Sequence, residues 1–243
     1  MSQNLVDSFM KFGGGASTEI EINSTNFTKT GTATNWAIDD VNKKVTATWN
    51  RSTTILVIWM DLASYLGEAI GTQWNLRYHQ KLTGNFVATT GVGAYLVTGL
   101  YNQVPTFSSH SATSLSGSSL IAEAYPAGNN PQREYPFIDN GTSYESSTNK
   151  LVPTVSAPTW SSNGAEFYIE VIRDGNDMTL NMYSDEWITL ITNGSGTLSG
   201  TYSSDAITHL ALVKNYNYPP TTWNGSGDFE IDKLYFSNNS VDP

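Results

Sequence analysis

Alternating apolar and polar residues mark the stretch from Glu166 to Leu190 as a β-hairpin. In its first arm Phe167, Ile169 and Val171 share one face, and Tyr168 and Glu170 share the other. In the second, Met178, Leu180 and Met182 alternate with Thr179, Asn181 and Tyr183. Successive side chains of a strand point to opposite faces, so each arm has a dry side and a wet side. Between the arms, Asp174-Gly175-Asn176-Asp177 supplies residues that tolerate the positive φ often required by the loop of a right-handed twisted hairpin.

The same period of two predicts strands over Thr18 to Ile22, Asn35 to Asp39 and Lys44 to Trp49, with a turn over 39–43. Arg51 to Met60 ends in the apolar run TTILVIWM, the length of a strand covered on both faces. Trp36, Trp49, Trp59 and Trp74 all fall in strands and are assigned to the core. From Gln73 to Leu82, Trp74, Leu76, Tyr78 and Leu82 alternate with Gln73, Asn75, Arg77, His79 and Lys81, which predicts a core face backed by a polar, partly basic stripe. Asp61 to Ile70 is the one short helical piece, ending near Gly71. Val92 to Tyr101 reads as an uncharged, central strand.

From Asn102 to Trp160 the pattern weakens and prolines interrupt it, with short strands expected at Leu120 to Tyr125 and Tyr135 to Ile138. Gly194 to Gly200 reads as a turn, His209 to Asn215 as a strand, and Asp228 to Phe236 as the strand that closes the sheet. Ahead of all this, Leu5, Phe9 and Phe12 fall at near-helical spacing before Gly13-Gly14-Gly15, so residues 1–19 are read as an arm and 20–243 as one β-sandwich domain.

Composition narrows the partners. Charged residues make up only 14% of the chain and aromatics 12%, which suits strands and turns rather than helices. A net charge of −10 with no local Lys/Arg cluster removes the counterion-release drive for nucleic acid. There is no cysteine, so neither disulfides nor thiolate metal sites arise. No apolar run approaches a membrane span, and the N-terminus lacks a basic then apolar leader. The expectation is that either a leader has been removed or the protein leaves its cell by another path, for example inside an assembled particle.

Several of these pieces together, in this order, resemble the concanavalin A-like lectin/glucanase family, and within it the LamG-like domains of marine microbial and archaeal type. They are Trp74 to Arg77 after Met60-Asp61-Leu62, the hairpin from Phe167 to Asp185, Val213 to Asn215, and the closing strand from Gly227 to Phe236. The likeness covers about Thr25 to Phe236 and implies an all-β fold, a jelly-roll sandwich of two antiparallel sheets. It also implies glycan binding, adhesion, glycan hydrolysis or a structural role, since such a fold does not fix one function.

The hydrolase signature of that family, E-x-D-x-x-E, is absent; the nearest strings are Glu19-Ile20-Glu21 and Glu230-Ile231-Asp232. Arg77, His79, Glu170 and Tyr183 have the chemistry of a polysaccharide lyase, or simply of a hydrogen-bonded sheet face. Asp232 stands where members of the fold hold a structural Ca2+, although Thr25 replaces a frequent acidic ligand before Asn26-Phe27. Trp187, Tyr216, Tyr218 and Trp223 offer flat rings for the C–H faces of sugars. The resulting reading is a non-enzymatic, lectin-like subunit, extracellular or on a virion surface. It would assemble through its arm with copies of itself or with other subunits, and bind glycans. The alternatives are a free carbohydrate-binding lectin module and a hydrolase or lyase with an unrecognised site.

Overall fold

A computed structural model of the chain describes residues 17–30, 36–49, 56–85, 94–104, 119–125, 133–139, 165–199, 206–216 and 226–242. In chain order the strands are β1 (Thr18–Glu19), β2 (Thr28–Thr30), β3 (Trp36–Asp39), β4 (Lys44–Trp49), β5 (Leu56–Asp61), β6 (Gln73–Asn85) and β7 (Ala94–Tyr101). After them come β8 (Ser119–Tyr125), β9 (Arg133–Asp139), β10 (Ala165–Asp174), β11 (Asp177–Tyr183), β12 (Leu190–Ser199), β13 (His209–Tyr216) and β14 (Ser226–Asn238). One short helix, α1 (Leu62–Leu66), follows β5, capped by the Asp61 carboxylate, which accepts from the backbone N–H and the hydroxyl of Ser64 at 2.9 and 2.7 Å. It is shorter than the sequence suggests and ends at Gly67.

Two antiparallel sheets result. The eight-stranded one runs β12-β11-β10-β6-β14-β4-β3, with β1 also paired to β14. The six-stranded one runs β2-β5-β13-β7-β8-β9. Their facing sides make a single core, to which the larger sheet gives Trp36, Val45, Trp74, Leu76, Tyr78, Phe167, Ile169, Met178, Leu180, Met182, Ile231, Leu234 and Phe236. The smaller sheet gives Ile58, Met60, Leu100, Leu210 and Leu212. The hairpin of β10 and β11 forms as its alternation requires, closing on Gly175 at φ 61° with Asp174 opposite Asp177.

Three further features depart from the sequence reading. Trp59 is half-buried and lies outside the core, because Ile58 and Met60 take the inward positions of β5 and Trp59 the alternate one. Of the segment read as a turn over 194–200, residues 194–199 belong to β12. It pairs with β11 through an irregularity: Asn181 faces Ser195 while Tyr183 faces Leu190.

The third departure is in β14. Strict alternation would put Asp232 on the same side as Leu234 and Phe236. A bulge between Asp232 and Tyr235, with Lys233 in the left-handed region at φ 48°, inserts one extra residue. Asp232 then faces His79 and Tyr235 faces Arg77 on the outer side, while Ile231, Leu234 and Phe236 stay in the core.

Gly194 is required where β12 bends. A Cβ there would lie 2.7 Å from the Ile191 carbonyl oxygen and 2.9 Å from that of Met182, both backbone atoms that cannot step aside. Gly194→Ala is therefore expected to cost about 2 kcal/mol, read as a lower denaturant midpoint with unchanged m-value. An unchanged midpoint would show that the bend is not fixed by this contact.

Candidate functional site

The outer face of the eight-stranded sheet carries the polar positions of β6, β10, β11 and β14. Register aligns Arg77 with Glu170 across β6 and β10, Glu170 with Asn181 across β10 and β11, and Arg77 with Tyr235 across β6 and β14. Cross-strand neighbours in these positions are close enough for their side chains to meet. Glu170 is the centre. Its Oε1 accepts from Asn75 Nδ2 at 2.9 Å and from Arg77 Nε at 2.8 Å, with Arg77 Nη2 at 2.6 Å; its Oε2 accepts from Asn181 Nδ2 at 2.9 Å and from the Tyr183 hydroxyl at 2.8 Å.

Although it faces away from the core, Glu170 is only 3% exposed. Burial by itself pushes its carboxyl up. The hydrogen bonds from Asn75, Asn181 and Arg77, together with the charge of Arg77, outweigh burial and hold it below the usual carboxylate range. Tyr183 is pushed up to about 12, by burial first and then by donating to Glu170. It is thus a protonated donor at neutral pH and not a base.

Trp187 closes this face. Asp185 folds the 184–189 loop back on itself by accepting from the Thr189 backbone N–H at 2.6 Å and from its hydroxyl at 2.7 Å. Trp187 adopts φ 53° there, a left-handed conformation that costs a bulky residue about 1 kcal/mol or more. Its Nε1 donates to the Ile169 carbonyl at 3.2 Å, the Arg77 guanidinium lies 5.5 Å from its ring centre, and Tyr168 and Tyr235 meet it edge-on at 5.1 and 5.6 Å. The half-buried indole therefore covers the Arg77–Glu170 pair, and Ile188 beside it is 80% exposed.

One row along, Asp232 Oδ1 sits 2.5 Å from His79 Nδ1. His79 Nε2 lies 2.9 Å from Glu166 Oε1, close enough for an ion pair but not aligned as a hydrogen bond, and the imidazole stacks on Tyr168 at 4.4 Å. Asp232 is thus committed to an imidazole. A Ca2+ takes six to eight oxygen ligands, and among the described residues no group of three His, Cys, Asp or Glu could hold a metal ion. The described surroundings of Asp232 do not fit Ca2+.

The structure brings Arg77, Glu170 and Tyr183 together as one closed network, with His79 in a separate cluster beside it. It does not bring the four aromatic candidates into one described site. Trp187 packs on the larger sheet, whereas Tyr216 ends β13 in the smaller one. Tyr218, Trp223, Leu5, Phe9 and Phe12 lie outside the described residues. The pairing of Asp232 with His79 was hidden in the sequence by the bulge at Lys233.

The network makes a pH prediction. A carboxyl depressed in the folded state stabilises the protein above its unfolded value, near 4.5, and that contribution is lost as pH falls through the lower folded value. Chemical denaturation should show unfolding free energy declining below about pH 4.5. Glu170→Gln, which leaves Arg77 without its anion, should cost about 3 kcal/mol at pH 7 and flatten that decline. A Gln variant as stable as the parent would contradict the network's role.

No family model and no curated protein matches the sequence. Solved structures do match it. The VIP36 exoplasmic/lumenal domain in its Ca2+/Man3GlcNAc-bound form is 11% identical, aligns over 91% of this chain and 86% of that one, and has a TM-score of 0.57. Arcelin-5, a lectin-like defense protein from Phaseolus vulgaris, is 10% identical over 94% of this chain and 100% of that one, at 0.58. Lectin II from Ulex europaeus is 14% identical over 93% and 100%, at 0.56. Such identities speak for the fold alone: the chain is a concanavalin A-like jelly roll of the kind found in legume lectins.

Proposed function

We propose that the protein is a non-enzymatic, carbohydrate-binding, lectin-like module, displayed outside the cell on the surface of a larger assembly such as a virion. The likeness of nearly the whole chain to lectin domains supports the binding role, one of them solved with a mannose-containing ligand. The state of Glu170 supports the lack of catalysis. General acid–base chemistry needs a carboxyl free to exchange a proton with substrate, and both oxygens of Glu170 are already engaged with the protein's own donors. His79 and Asp232 are likewise turned to each other.

Trp187 contributes to ligand binding through whatever part of its ring its packing leaves exposed, with Tyr216, Tyr218 and Trp223 as the second aromatic group. The arm with Leu5, Phe9 and Phe12 contributes the contact with neighbouring subunits, which are copies of the chain or other components. A structural Ca2+ through Asp232 is not part of this reading. The same lectin likeness favours a free lectin module equally well, and the arm is what separates the two.

The chain should bind glycans on an array and should release neither reducing ends nor unsaturated products from laminarin, agar, alginate or carrageenan. Removing residues 1–15 should reduce the mass measured by light scattering to that of a monomer without loss of glycan binding. Product release would overturn the non-enzymatic reading. An unchanged oligomeric state would leave the free lectin in place of the assembly subunit.

A further inference from the structure

The outer face of the six-stranded sheet holds a second cluster that the reading above does not use. On β5 the inward positions belong to Ile58 and Met60, so Trp59 and Asp61 share the outward side. Register sets Trp59 opposite Ala211 on β13, and Ala211 opposite Gly99 on β7. The adjacent row aligns Asp61 with His209 and Tyr101. Ala211 and Gly99 present nothing beyond a Cβ, so the indole has room to lie along the sheet. The Trp59 and His209 rings are 5.5 Å apart and tilted by 55°.

Three properties of this cluster point outward. Trp59 keeps part of its surface exposed, although its strand neighbours Ile58 and Met60 are in the core. His209 Nδ1 is taken by the Thr208 hydroxyl at 2.7 Å, which itself donates to the Asn102 carbonyl at 3.0 Å; the imidazole is thereby fixed in orientation with Nε2 left for an external group. Asp61 is exposed, and each of its oxygens accepts one bond from Ser64 and keeps capacity for another.

We infer that Trp59, His209 and Asp61 form a subsite for one ring of an uncharged saccharide on the outer face of the six-stranded sheet. The indole takes the apolar C–H face of the sugar, as flat aromatic rings do. His209 Nε2 and the Asp61 carboxylate bond the hydroxyls at the ring's edge. The carboxylate also sets the class of ligand, because it repels uronates, sialic acids and sulfated sugars while accepting from neutral hydroxyls. This subsite deepens the proposed carbohydrate binding and rests on it, but it uses neither Trp187 nor the aromatic residues after β13.

The test is a comparison of the full chain with Trp59→Ala, His209→Ala and Trp223→Ala on an array of neutral and acidic oligosaccharides, followed by calorimetry with the best neutral ligand. The subsite predicts binding to neutral members, at least about tenfold weaker binding for Trp59→Ala, a smaller loss for His209→Ala, and a cooperative thermal melt in both. Should Trp59→Ala fail to fold, oxidation of Trp59 by N-bromosuccinimide in the unaltered chain, read by peptide mass spectrometry, replaces it; saturating neutral ligand should protect that residue. Binding that is unaffected by Trp59→Ala but lost in Trp223→Ala would overturn the subsite and leave the lectin reading standing. So would lack of protection, or a preference for acidic sugars. If the unaltered chain binds no glycan of either kind, the lectin reading falls and the subsite with it.

Discussion

A carboxylate withdrawn from water must be given donors, and the outer face of the eight-stranded sheet is arranged around supplying them to Glu170. Leaving such a charge unpaired away from solvent would cost several kcal/mol, enough to unfold a protein of ordinary stability. Donors arrive from β6 through Asn75 and Arg77, and from β11 through Asn181 and Tyr183. Each arm of the hairpin and the strand beside it are thereby fixed to one register, since a slip of one residue would turn the donors into the core. The packing beneath depends on that same register: Leu76, Tyr78, Ile169, Leu180 and Met182 occupy the alternate positions of the same strands.

Coverage of this polar face follows from the same constraint. Trp187 accepts a left-handed backbone because its ring then spans Arg77, Tyr168 and Tyr235 and its Nε1 finds the Ile169 carbonyl. The far side of the network is closed by the chain's end, where Asn75 also donates to the Val241 carbonyl at 3.2 Å. A network sealed in this way serves stability, and on this face it leaves only the exposed part of Trp187 for a ligand. On the outward side of the six-stranded sheet, Trp59 keeps part of its surface exposed and Asp61 is exposed.

The hairpin was legible from sequence because its arms alternate over Phe167 to Val171 and Met178 to Tyr183 and its turn carries the right residues. Trp74, Leu76 and Tyr78 were legible for the same reason. Three features resisted. From Ile55 to Met60 every residue is apolar, so periodicity could not say which side Trp59 occupies; the only clue was Asp61, two residues on, which marks that side as wet. In DFEIDKLYF the period is broken by one residue, and nothing distinguishes Lys233 in sequence as the residue that takes the left-handed conformation. In TNGSGTLS the glycines read as a turn, whereas Gly194 serves a close approach of two backbones within a strand. Trp187 stood out at the end of the hairpin as a flat ring for a sugar, but two of its partners, Arg77 and Tyr235, come from strands distant in sequence, so its packing over Arg77 could not be read locally.

The account turns on Glu170 being an ionised structural anion and not a proton-exchanging group. Its carboxyl carbon can be followed directly by 13C NMR as pH is lowered in the folded protein. The structure predicts a single titration below the ordinary value near 4.5, with Asn75 and Asn181 side-chain amide signals moving at the same pH. A carboxyl that titrates near neutrality, or independently of those amides, would contradict it and return Glu170 to the list of candidate acids.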